Sequence, residues 1–268
     1  TRQQVIQNLE GQQFETLQTL GIQYSYAVTE VDPEGNAWMD LLYERVILEQ
    51  DTVLGEVKYD SADPPAEIPA EALGMSALVG LGFSLRMSPR GEVLETRGAD
   101  ELVEQMIAAL QISDPAAREQ MEATLRQQYG GEGLQNQLRD TVVQFPEGPL
   151  RVGDSWSITT ETFALTTLTV KATYTLRGFD EQTARIDVRS SFTTADSMEM
   201  LDFGLFQIGY VLAGDQVGTM LVNLQTGLSD IQLTQDLNGE MTIAAEGEQL
   251  TVPLTAQGVF QVRVVEQD

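Results

Sequence analysis

The chain is 268 residues long and carries 41 acidic against 15 basic side chains, a formal charge of -26. That charge repels phosphate backbones and anionic headgroups, and so argues against nucleic acid as a partner. There is no cysteine and no histidine, which removes disulfides, thiolate nucleophiles, imidazole or thiolate metal sites and every Ser-His-Asp arrangement.

The length suits one large domain or two smaller ones with a substantial core. No apolar run approaches the roughly 20 residues a spanning helix needs, so no transmembrane segment is expected. The chain starts at Thr1 with no charged-then-apolar leader and reads as trimmed.

Two antiparallel strands are expected over Thr1 to Asp32, joined at Glu10-Gly11, with Ile22, Tyr24, Tyr26 and Val28 alternating in the second. Asp32-Pro33-Glu34-Gly35-Asn36 is turn chemistry and lacks the ligand spacing of a calcium loop. Ala37 to Leu48 is a strand whose inward positions change parity, which predicts a bulge near Glu44 or Arg45. A strand over Val53 to Tyr59, a proline-rich connector over Asp63 to Ala70 and a short helix to Leu78 follow.

Gly82 to Leu110 has the clearest punctuation. Phe83, Leu85 and Met87 alternate, and Ser88-Pro89-Arg90-Gly91 places Pro and Gly where a type I turn favours them. Glu92 to Arg97 returns, and Gly98 releases the chain into a helix bearing Leu102, Met106 and Leu110 on one face. A second helix is capped at Ser113 or Asp114, starts with Pro115 and carries Ala117, Met121, Leu125 and Tyr129, ending at Gly130-Gly131. A third carries Leu134, Leu138 and Val142 before Phe145-Pro146. Each helix has one apolar face, as expected of helices that cover a sheet.

From Val152 the chain reads as β. Leu168, Val170, Ala172, Tyr174 and Leu176 alternate, as do Ala184, Ile186, Val188 and Ser190. Gln225-Thr226-Gly227 joins two further strands, Asn238-Gly239 predicts a two-residue hairpin, and Val259 to Val265 is the final strand.

Tyr26-x-Val28-x-x-Val31-Asp32 followed by Ala37-x-Met39-Asp40-Leu41 recurs as Tyr174-x-Leu176-x-x-Phe179-Asp180 followed by Ala184-x-Ile186-Asp187-Val188. Either the chain contains two related β-units or two ordinary hairpins share a pattern. The expected organisation is a single domain, 1–268, with a first β-unit over 1–98, a helical insertion over 99–145 and a second β-unit over 146–268. The expected fold class is α+β: a large curved antiparallel sheet or half-barrel with about three to four helices on one face.

The ordered series VTEVDPEGNAWMDLLYERV, GEVKYDSAD, LVGLGFSLRMSPRGEVLETRGADELVEQM and FPEGPLRVGDSW resembles the bacterial domain-of-unknown-function 6263 family. The likeness covers most of Thr1 to Trp156 and, more thinly, Thr166 to Leu233. It implies a secreted or lipid-anchored envelope protein, an extracytoplasmic location and a strand ahead of Thr1. It implies no activity and no catalytic residues. The apolar stretch Ser197 to Gly214 departs from the expected pattern.

The side chains available for catalysis are carboxylates, Ser, Thr, Tyr and Arg. A carboxylate hydrolase would draw on acids such as Glu44, Asp60, Asp100 and Asp154, but acids are so numerous that proximity alone means little. Gly153-Asp154-Ser155-Trp156 reads as a turn entering a strand. No catalytic, cofactor or metal site is therefore expected. The leading expectation is a non-enzymatic envelope protein that binds an apolar or lipid ligand or a protein partner. Its candidate contact segment is Leu201, Phe203, Leu205, Phe206, Ile208, Tyr210 and Leu212, with core strand or helix as the competing reading of those residues. The rival expectation is an accessory subunit docking into a larger assembly through the same segment.

Overall fold

The computed structural model describes residues 1–9, 12–52, 55–110, 112, 114–131, 133–135, 138, 143–163, 166–194, 198, 200–202, 206–245 and 247–265. The fold is α+β: a large antiparallel sheet whose strand order runs as an open path, with a few short helices. Contacts divide the chain into two compact units. One comprises Thr1–Gln18, Asp51–Leu54 and Glu147–Asp268; the other comprises Thr19–Gln50 and Gly55–Pro146.

The second of these units holds the later part of β2 (Gln12–Val31), β3 (Ala37–Thr52), β4 (Gly55–Asp60), β5 (Gly82–Met87) and β6 (Val93–Arg97). Their order is β6-β5-β3-β2, with β4 also on β3. A 3₁₀ turn (Ala70–Ala72) leads into α1 (Leu73–Ser76), and α2 (Ala99–Leu110) and α3 (Pro115–Tyr129) follow β6. Gly98 turns the chain into α2 at φ +83, a conformation that favours glycine. Its carbonyl then accepts from the Leu102 amide.

Leu102, Val103, Met106 and Ile107 form the buried face of α2 and meet Leu78, Leu125 and Tyr43. Ala99 and Leu134 pack with Phe83 and Leu85, and with Met39 and Leu41 of β3. Burying each such large side chain contributes about 1.5–3 kcal/mol, so this layer is what holds the helices on the sheet. The stripe on α3 is only partly used: Leu125 is buried and Met121 exposed.

The inward positions of β3 do change parity. Tyr43 and Met75 join the α2 cluster, whereas Val46 and Leu48 meet the same Met75 through Tyr59 and Ala72. The expected Glu10-Gly11 turn, the Ser113 cap, Val142 and the Ala117 side chain lie outside the described residues.

The other unit holds β1 (Arg2–Leu9), the start of β2, β7 (Ser155–Phe163), β8 (Thr167–Phe179), β9 (Thr183–Thr194), β10 (Met200–Asp202), β11 (Gln207–Asn223), β12 (Ser229–Ala245) and β13 (Glu248–Val262). The order is β1-β13-β12-β11-β9-β8-β7; β2 lies beside β1, and β10 beside β11. Leu168, Leu212, Leu237, Leu254 and Ala256 form its core with Val5.

Two glycines permit close approach of neighbouring backbones in this unit. A Cβ on Gly218 would stand 2.0 Å from the Gln232 carbonyl oxygen, and one on Gly239 would stand 2.0 Å from that of Val211. Such contacts mark places where a sheet bends sharply. They also correct the expected hairpin at Asn238-Gly239. The pair sits inside β12, with Gly239 between Leu212 and Leu254, and the chain reverses instead between Ala245 and Glu248 at Gly247. Tertiary close approach, not turn geometry, is what requires glycine there.

The repeat seen in the sequence is also a repeat of structure. One unit contains the ladder β2-β3-β5-β6 and the other the ladder β8-β9-β11-β12, each in the same order. Ala37, Met39 and Leu41 pair with Met87, Leu85 and Phe83; Ala184, Ile186 and Val188 pair with Val222, Met220 and Gly218. The turns match as well. The Asp32 carboxylate accepts from the Glu34 and Asn36 amides at 3.1 and 2.8 Å, and that of Asp180 from Gln182 and Thr183 at 2.8 and 2.7 Å.

Farther along, Ser88 Oγ accepts from the Arg90 and Glu92 amides, and Asn223 Oδ1 from Gln225 and Thr226. The Gly91 and Gly227 amides close those turns onto the Ser88 and Asn223 carbonyls. The two ladders thus share strand order and an Asp cap on the first turn, while the second turn is capped by Ser in one and Asn in the other.

Candidate functional site

Of the expected contact segment, the structure places Leu201 on β10 and Ile208, Tyr210 and Leu212 on β11. Leu201 pairs with Ile208 across the β10–β11 ladder, and Ile208 pairs with Ile243 on its other side. Leu212 is buried in the core and Tyr210 packs against the same cluster. Burial pushes the Tyr210 phenol up from its ordinary value. Phe206 is 39% exposed and Val211 47%. Phe203 and Leu205 lie outside the described residues.

A second exposed apolar row lies on β2. On β2, Ile22, Tyr24, Tyr26 and Val28 are 41%, 47%, 38% and 56% exposed, and period-2 geometry puts all four on one face. Alternation in the sequence identifies this face but not whether anything covers it. The intervening residues are polar or small, and Gln23 donates to Glu44 of β3 at 3.0 Å. Isolated exposed apolar residues need no explanation, whereas a contiguous row of them marks an interaction surface.

The acids considered for hydrolysis are each engaged in structural contacts. The Arg45 guanidinium holds the Asp60 carboxyl down at about 2, aided by the Ala62 amide. Glu44 accepts from Gln23, and Asp100 faces Arg126 at 3.4 Å. Asp154 accepts from the Arg151 amide at 2.8 Å, which closes the turn into β7. Arg86 likewise pairs with Asp32, tying β5 to the β2–β3 turn. Among the described residues no three carboxylates gather as a metal site would require. No helix among them is long and apolar enough to cross a membrane.

A groove of about 280 Å³ between α2 and α3 is lined by Val103, Glu104, Ile107, Arg118, Glu122 and Arg126. Arg126 is already bonded to Glu122 at 3.0 Å. The charged lining suits solvent better than an apolar ligand.

Residues 34–229 match the family described as Family of unknown function (DUF6263). The chain belongs to that family. No curated protein and no solved structure matches it.

Proposed function

For this member of the DUF6263 family, we propose a non-enzymatic role outside the bacterial cytoplasm: binding a partner protein through exposed apolar strand surface. The observation that carries this reading is the row Ile22, Tyr24, Tyr26 and Val28 on β2. Leaving four large apolar side chains on one face in water forgoes stabilisation of the order of 1 kcal/mol each. The extracytoplasmic placement rests on the resemblance to secreted and lipid-anchored bacterial proteins.

The test is site-specific photo-crosslinking of the full gene product in its native bacterium, followed by fractionation. A photoreactive residue replaces Tyr24 in one strain and Phe206 in another. A discrete protein adduct in the envelope fraction, dependent on the position labelled, is the expected result. Adducts to lipid alone, no adduct from either position, or recovery of the product from the cytosol contradicts the proposal.

A further inference from the structure

One end of the β7–β13 ladder gathers three apolar side chains on neighbouring turns. Val152 precedes β7, Phe179 ends β8 and Leu224 follows β11; they are 59%, 61% and 50% exposed. Backbone pairing brings these turns together. The Gly153 amide donates to the Leu176 carbonyl at 2.8 Å, which sets Val152 beside the end of β8. The Leu224 amide donates to the Gln182 carbonyl at 2.7 Å, which ties the β11–β12 turn to the β8–β9 turn. β7, β8, β9 and β11 are successive in the sheet, so the three turns lie within roughly 15 Å of one another at the usual strand spacing.

Single exposed apolar residues are normal, but these three are held out. Each stands in or next to a turn capped by a side chain. Asp154 accepts from the Arg151 amide at 2.8 Å, and Asp180 from Gln182 and Thr183 at 2.8 and 2.7 Å. Asn223 accepts from Gln225 and Thr226 at 2.8 and 3.1 Å. Those bonds satisfy turn amides, so folding the apolar side chains inward would cost them. Three basic residues, Arg151, Arg177 and Arg185, stand here against four acidic ones, Asp154, Asp180, Glu181 and Asp187. This end is therefore close to neutral, on a chain whose formal charge is -26.

We propose that this loop end docks on a zwitterionic phospholipid surface, with Val152, Phe179 and Leu224 entering the headgroup–acyl boundary. Size decides against a protein as occupant. The three side chains offer a few hundred Å² of apolar area, short of the roughly 800 Å² per partner of a standard protein interface. A bilayer sets no such minimum, because each buried CH₂ contributes about 0.8 kcal/mol by itself. Charge selects the headgroup. With no excess of cations, this end gains nothing from an anionic lipid, and the chain as a whole is repelled by one. Arg151 and Arg185 are exposed, and their long side chains reach headgroup phosphates as the apolar tips enter. The surface shares no residue with the β2 row, and the proposal does not depend on the partner-binding reading.

The test mixes the 268-residue protein with phosphatidylcholine vesicles and measures binding by flotation. Binding is expected, weakened at least about fivefold by F179D and by L224D, each with unchanged circular dichroism. V31D alters a valine that is also 61% exposed, at the matching turn of the other unit, and leaves binding unchanged. Added phosphatidylglycerol weakens binding. Because the chain has no cysteine, Q225C and E248C each carry a single dye, one at this end and one at the opposite end of the same strands. A nitroxide lipid quenches the dye at 225 and spares the one at 248. No binding to phosphatidylcholine, binding indifferent to F179D and L224D, equal loss in V31D, stronger binding to phosphatidylglycerol, or quenching at 248 overturns the proposal. A lipid-free dimer in sedimentation equilibrium that F179D dissolves assigns this end to a second copy and overturns it too.

Discussion

Trp156 of β7 stacks on Tyr174 of β8 with ring centroids 5.4 Å and planes 21° apart. The pair stands where an outer strand closes one copy of a repeated ladder. The other copy presents Tyr26 at the position of Tyr174.

Removing the ring at the covered edge weakens that unit. Trp156→Ala is expected to lower stability by about 1–3 kcal/mol, the loss of a half-buried aromatic pair. Equilibrium urea unfolding checks this, and the near-ultraviolet dichroism of the stacked rings should disappear with it. An unchanged unfolding midpoint would show that β7 is not held through this contact.

The close approaches at glycine make a second prediction. Gly218→Ala and Gly239→Ala each put a methyl group against a carbonyl oxygen 2.0 Å away and should destabilise by about 1–3 kcal/mol. Gly74→Ala in α1 meets nothing within 4 Å and should be neutral or stabilising by about 0.5–1 kcal/mol. Thermal melts of the three variants separate a packing cost from a general intolerance of substitution.

Acid should act on the β2–β3 turn. Asn36, and then Arg86, hold the Asp32 carboxyl at about 2. A carboxyl whose folded value is depressed contributes stability that is present above its unfolded value and is lost as pH falls through the folded one. Stability should therefore fall between about pH 4 and about pH 2, and D32N should flatten that part of the profile. Urea titrations at stepped pH measure it; identical slopes in the two proteins would remove Asp32 from the account.

The opposite sign applies to Tyr43. Burial beneath the helices pushes its phenol up to about 12. Stability linked to it is present below the ordinary value near 10 and is lost as pH rises towards 12. Absorbance at the phenolate band should show Tyr43 among the late-titrating tyrosines, and Y43F should reduce the amplitude near pH 12 by one phenol.

Much of the architecture was legible from side-chain periodicity. Alternation at Leu168 to Leu176, the turn at Ser88 to Gly91 and Pro115 at the start of α3 all depend on neighbouring residues, which is the range over which propensity acts. Asn238-Gly239 misled because a strong local turn signal was overridden by the approach of Val211, a residue distant in sequence. The Ile22–Val28 face was visible as alternation, but exposure depends on which strand lies alongside, and no local pattern encodes that. The Ser197–Gly214 stretch drew attention through its apolar content, yet Leu212 uses that character to fill a core.

The most direct test of the central claim is amide hydrogen exchange of the 268-residue protein alone. β8 has neighbours on both edges over Leu168 to Thr175, so its amides there should all exchange slowly. The face of β2 that carries Ile22, Tyr24 and Val28 is exposed, so the amides of residues 22–28 should exchange faster than those of β8. Uniformly slow exchange along both segments would contradict the account.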